Sequence, residues 1–121
     1  MQNRYFGDIG DFAKFGLLRA LLAPPEPKLR LGVLWYLVPD ESHNADGRHI
    51  SYLDRTQENC SRFRPCDPEL YDRLQGAVAK RSWGVALASE LCLLPDDTAF
   101  HSCPLSFDGI QFKERNALRA D

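Results

Sequence analysis

The sequence predicts an α/β layer fold with a mostly parallel sheet. Three observations carry that expectation. Helix-like and strand-like stretches alternate in the order helix, strand, long polar loop, helix, helix, strand, helix. The first strand is a near-continuous apolar run through Leu31, Val33, Leu34, Trp35, Tyr36, Leu37 and Val38, the pattern of a strand buried on both faces. That run opens directly into a polar loop, Asp40 to His49, where open α/β sheets keep their chemistry. Only two or three strands are visible, which is few for a parallel sheet covered on both sides. The expectation is therefore one domain over residues 1–121 that stops short at its C-terminus, as the N-terminal part of a longer domain.

The first helix begins after Asp8, a good N-cap, with Asp11 three residues later in the manner of a capping box. Phe12, Phe15, Leu18 and Leu22 recur at helical spacing, and Leu17 and Leu21 widen the stripe. Pro24, Pro25 and Pro27 end it. Gly16 inside this helix costs about 1 kcal/mol relative to alanine, so something is expected to pack closely there. Leu29 to Val38 is the buried strand, stopped by Pro39. His49 to Leu53 reads as a short strand or a first helical turn, and residues 54–66 read as polar and irregular.

Asp67, Pro68 and Glu69 open the next helix as N-cap, N1 proline and first-turn acid. Its inner stripe is Leu70, Leu74, Ala77 and Val78, and it should end near Lys80 and Arg81. Residues 82–94 read as a helix continuing to Leu93, with Cys92 in the core. Thr98 to Cys103 is a short strand, and Phe112 to Ala120 begins a last helix.

Composition narrows the function classes. The net charge of −2 gives no global basic field for nucleic acid, although a local patch needs none. No apolar run approaches the ~18 residues of a membrane span. The polar N-terminus is not a signal peptide, so the chain is expected to be cytoplasmic with reduced thiols. Cys60, Cys66, Cys92 and Cys103 form no C-x-x-C pair, and a zinc site from Cys60, Cys66, His101 and Cys103 would have loose spacing.

The loop concentrates chemistry. Asp40 to His49 holds three carboxylates, two histidines, an asparagine and an arginine. Asp40, Glu41, Asp46 and His49 are the candidate catalytic groups. Asp40, His43, Asp46 and His49 are the alternative, a metal-ligand set of the right donor types for Mg²⁺, Mn²⁺ or Zn²⁺. The bland reading of the same residues is a solvated turn in which Asp46 caps and Arg48 pairs with Asp40 or Glu41. Asp8 and Asp11 likewise have capping as their plain role.

The opening Asn3-Arg4-Tyr5-Phe6-Gly7-Asp8-Ile9-Gly10-Asp11-Phe12-Ala13-Lys14-Phe15-Gly16-Leu17-Leu18-Arg19 resembles a family of uncharacterised bacterial and phage proteins. So do Trp35 to Glu41, Asn44 to His49, Asp67 to Tyr71 and Leu94 to Thr98, so the likeness touches most of the chain. Longer members look to continue into a strand ending in an Asp-Pro-Asp-Asn-Gly type motif that this chain lacks. More distantly, the opening is similar to the adenine-N6 ribosomal RNA methyltransferases of the J type. That resemblance implies a partial Rossmann-like fold and an S-adenosylmethionine site. Gly10, Asp11 and Lys14 would stand near the cofactor, and Asp40 to Gly47, with Asn44 and Gly47, would replace its glycine-rich loop. The loop departs from the family pattern in having one glycine where such loops carry several.

Three functions follow as expectations. One is a Rossmann-like methyltransferase-related protein, with nucleic acid as a partner. One is a metal-dependent hydrolase or nuclease built on the Asp40–His49 cluster. One is a non-catalytic binding or accessory protein, or an inactive fragment of the uncharacterised family. An exposed sheet edge on a shortened domain would favour a homodimer.

Overall fold

The computed structural model describes residues 1–24, 29–41, 47, 49–81 and 84–104. The elements are α1 (Ile9–Leu21), β1 (Gly32–Leu37), α2 (Gln57–Arg62), α3 (Pro68–Ala79), α4 (Leu87–Glu90) and β2 (Ala99–Pro104). Short 3-10 turns lie at Asn3–Tyr5, Ser51–Leu53 and Arg64–Cys66. The expected helix at Phe112–Ala120 falls outside the described residues.

The strands pair in parallel, with Gly32 opposite Ala99 and Leu37 opposite Pro104. The α/β assignment therefore holds in its coarse form: helices and a two-stranded parallel sheet. On its other edge β1 meets Met1. The Met1 amine donates to Tyr36 O at 2.7 Å and Val38 N donates to Met1 O at 2.9 Å. This slanted pair is the hydrogen-bond pattern of a parallel neighbour one residue long.

The core lies on one side of the sheet. Phe12 and Phe15 of α1 pack with Leu70, Tyr71, Leu74 and Ala77 of α3, and with Phe6, Tyr52, Leu53 and Leu93. Phe12, Tyr52 and Tyr71 form an aromatic triangle with centroid separations of 5.4–6.3 Å. Each such pair is worth about 0.5–1.5 kcal/mol beyond its burial. Leu31, Val33, Trp35 and Phe100 close the sheet side, and Trp35 meets Phe15 edge-on at 6.5 Å.

The caps form much as their residue types dictate. Asp8 accepts from Asp11 N, and Asp67 accepts from Leu70 N, both at 3.0 Å, with Pro68 at N1 of α3. Asp11 does not complete a capping box back to Asp8. Its carboxylate instead accepts from Gly7 N at 3.0 Å, one residue further back, because Gly7 turns at φ +85°.

Several expectations need correction. β1 is not buried on both faces: exposure alternates along it, and Leu34 and Tyr36 are 43% and 38% exposed. All the described helices that touch the sheet do so through the one apolar core, so half of the apolar run faces outward. Leu17 and Leu21 do not widen the buried stripe of α1; they are exposed on its far side. Gly16 is not tightly packed, since a Cβ there would meet Leu70 Cδ2 at an ordinary 3.8 Å. Residues 54–66 are not irregular. Thr56 caps α2 through Asn59 N at 3.1 Å, and Asn59 Nδ2 ties back to Ser51 O and Asp54 O. A polar helix held by caps leaves no apolar period to read.

The helix expected over 82–93 shrinks to α4. Gly84 sits at φ +149° and Cys92 at φ +48°, and the chain between turns so that Leu93 and Leu94 enter the core. Cys92 is consequently exposed rather than buried. Two arginines hold this corner. Arg73 donates to Leu91 O at 2.7 Å and Cys92 O at 2.6 Å. Arg19 donates to Leu93 O at 3.1 Å while pairing with Asp67 and Glu69, each at 2.6 Å. His49 precedes a 3-10 turn, neither strand nor α-helix.

Candidate functional site

The turn into α1 is built by residues that hold one another. Gly7 is gripped on both sides: its N–H by Asp11, and its carbonyl by the Tyr52 hydroxyl at 3.0 Å. The Tyr71 hydroxyl in turn donates to Tyr52 O at 2.9 Å. Burial pushes the Tyr52 hydroxyl pKa well up, and the nearby Asp11 and Asp8 charges push it further. Tyr52 is thus a neutral donor at every physiological pH. The left-handed backbone and the 3.0 Å approach of Val78 Cγ2 to an added Cβ restrict position 7 to glycine.

Asp11 is only 1% exposed. Lys14 Nζ stands 2.7 Å from its Oδ1, three residues on along the helix. Desolvation raises the Asp11 pKa, and the Lys14 ammonium and the Gly7 N–H pull against that rise. Lys14 itself remains 58% exposed.

These residues form the wall of a cleft of about 390 Å³, lined by Met1, Tyr5, Asp8, Gly10, Asp11, Lys14, Gly47 and His49. Ile9 N donates to His49 O at 3.0 Å, which brings the post-strand loop back to the helix start. Gly47, at φ +78°, lies under Tyr5: an added Cβ would fall 2.0 Å from the tyrosine ring. This glycine is required by the ring above it. Met1 places the cleft beside the carboxyl end of β1 through its bonds to Tyr36 and Val38.

Of the sequence-predicted site residues, Gly10, Asp11, Lys14, Gly47 and His49 come together in this cleft. Asp40 and Glu41 are exposed and do not line it, and Asp40 Oδ1 accepts from Arg4 N at 3.2 Å. His43, Asn44 and Asp46 lie outside the described residues. Among the described residues, no group of three or more His, Cys, Asp or Glu stands together in a metal-binding arrangement. The loosely spaced cysteine set forms no such group there either.

Met1 and Tyr5 line the cleft without a sequence signal of their own, and Asp8, whose plain sequence role is a cap, lines it as well. The Tyr5–Gly47 contact joins residues far apart in sequence and leaves no local trace. Among the described residues no helix is long and apolar enough to cross a membrane.

Comparison of the chain with models of protein families, with characterised proteins and with solved structures finds no match.

Proposed function

We propose that the chain is a Rossmann-like, methyltransferase-related domain that holds an S-adenosyl cofactor in the α1 cleft. The acceptor class that goes with this reading is nucleic acid. The observation that carries it is the convergence of Gly10, Asp11 and Lys14 with Gly47 and His49 in one cleft at the carboxyl end of a parallel strand. Open parallel sheets bind their ligands at that position.

The residues present fit such a cofactor in chemistry. A volume of about 390 Å³ falls in the range of small-molecule sites. Asp8 and Asp11 offer carboxylate oxygens, Lys14 an ammonium and His49 an imidazole. Gly10 is exposed in the first turn of α1, with the Asp8 carboxylate 3.1 Å from where a Cβ would stand. Gly47 supports Tyr5. Bound there, S-adenosylmethionine would supply an electrophilic methyl group. The chain's own part is to orient the cofactor: the Asp11–Lys14 pair is pinned to the Gly7 turn, and Tyr52 holds that turn from the core side.

A thermal-shift series tests the reading. S-adenosylmethionine and S-adenosylhomocysteine at about 100 times their Kd should stabilise the fold by about 2.7 kcal/mol, several degrees in a domain of this size, and chelator should not change the result. A rise with Mg²⁺, Mn²⁺ or Zn²⁺ alone, reversed by chelator, would replace it with metal-dependent hydrolysis. No response to either class would leave a non-catalytic domain.

A further inference from the structure

We propose that the groove between α1 and the open edge of β1 binds an extended peptide as a third, parallel strand, with apolar side chains at alternate residues and its terminal carboxylate toward Lys14. Among the described residues this groove shares Lys14 alone with the α1 cleft. The inference goes beyond the cofactor reading and does not depend on it.

One edge of β1 is open at its start. Ala99 N donates to Leu31 O at 2.9 Å, so the odd-numbered residues of the strand turn their amides and carbonyls toward β2. The even-numbered ones turn the other way. There Met1 takes Tyr36 O and Val38 N, as a parallel neighbour opposite Leu37. No described residue bonds to Gly32 or Leu34 on that edge. A strand edge in this state is a template for another strand. The lane beside it runs under α1. Phe15 and Leu18 face Leu31, Val33 and Trp35 across a groove of about 320 Å³. Those three strand residues pack against the core yet are only half-buried, since the lane beside them is open.

Three features select the occupant. The open amides and carbonyls match another main chain, which an extended peptide supplies. The groove walls are apolar, so every second side chain of the peptide must be apolar. Met1 sets the direction. It already stands in the lane in parallel register and closes it opposite Leu37. A parallel peptide of about four residues fills the lane from Gly32 and ends there. Lys14 lines the groove and also the cleft that holds Met1, so its ammonium stands at the closed end. It pairs with Asp11 at 2.7 Å, is 58% exposed, and has three donors, enough to take a terminal carboxylate as well. An antiparallel peptide would bring its amino end to Lys14 instead, like charge against like.

The test titrates the full chain into an amino-terminally fluorescein-labelled peptide, Gly-Ser-Gly-Thr-Val-Thr-Val with a free carboxylate, read by anisotropy. In a parallel strand the inward valines bond to β1; in an antiparallel one the outward threonines do. N-methylation of both valines should therefore weaken binding by about tenfold or more, and N-methylation of both threonines by less than about threefold. Amidation of the carboxyl end should cost about tenfold, the loss of a charge-assisted hydrogen bond. Leu34→Pro should abolish binding and keep the fold, because that amide faces the lane and proline is tolerated on an edge strand. If that variant fails to fold, slower exchange of the Leu34 amide on adding peptide to the unmutated chain locates the peptide equally well. The reverse N-methyl pattern, or an amide bound as tightly as the acid, would overturn the proposal. So would no saturable binding up to about 1 mM. A dimer that excludes the peptide and that Leu34→Pro separates would put a second copy in the lane and overturn it too. The response to S-adenosylmethionine is read separately and decides the cofactor reading alone.

Discussion

Gly16 stands in mid-helix in α1, where a glycine costs about 1 kcal/mol relative to alanine. An added Cβ would meet only Leu70 Cδ2, at 3.8 Å. Gly16→Ala should therefore stabilise the chain by up to about 1 kcal/mol, read as a higher denaturant midpoint at unchanged slope. A loss of stability would mean that α1 and α3 approach more closely than that contact allows. Gly7 and Gly47 are the opposite case. Both have positive φ and both have a neighbour where Cβ would go, Val78 at 3.0 Å and Tyr5 at 2.0 Å. The sequence shows Gly7, Gly16 and Gly47 without distinguishing the dispensable one from the two required ones. The difference lies in long-range packing, and no local pattern carries it.

Among the elements, β1 shows how a sequence pattern can be right in type and wrong in surroundings. Its apolar run marks a strand, and a parallel one, as expected. Burial on both faces would need elements on both faces, and exposure instead alternates. The two faces should respond differently. Trp35→Ala removes the edge-on contact with Phe15 and should cost about 2–3 kcal/mol, below the 3–5 of a fully buried tryptophan. Leu34→Lys, on the outward face, should change stability by no more than about 0.5 kcal/mol. Comparable losses at both positions, measured by chemical denaturation, would show that the outer face is covered. α1 and α3 were legible because caps and apolar periods agree there: Asp8, Asp67 and Pro68 are local signals acting locally. α2 and α4 were not. α2 stands on Thr56 and Asn59 without an apolar stripe, and α4 ends where Arg19 and Arg73 draw the 91–93 carbonyls across from other elements. The cleft divided in the same way. Gly10, Asp11 and Lys14 stood out by motif, whereas Met1 and Tyr5 join through tertiary contacts alone.

For the molecule as a whole, these ion pairs give stability a particular dependence on pH. Arg19 holds the Glu69 carboxyl below its ordinary pKa, and Arg64 does the same for Asp72. Groups depressed in the folded state add stability above their unfolded pKa and lose it as pH falls through the folded value. Asp11 has the reverse sign. Burial raises it, so the folded chain binds its proton more tightly than the unfolded chain does. Its contribution is most favourable below the ordinary aspartate value and declines as pH rises through the raised one. The acid limb of the stability curve should thus be shallower than the paired surface carboxylates alone would give. Asp11→Asn should steepen it, as followed by melting temperature across the acid range. An unchanged slope would mean that the Lys14 and Gly7 contacts fully cancel the effect of burial. The double grip on Gly7 has a consequence in time as well as in energy. Its amide is covered by Asp11, and its carbonyl is tied through Tyr52 to Tyr71 on α3. Solvent deuterons reach that amide only when the first turn of α1 lifts away from the core. The Gly7 exchange rate is therefore a clock for the opening of the wall behind the cleft.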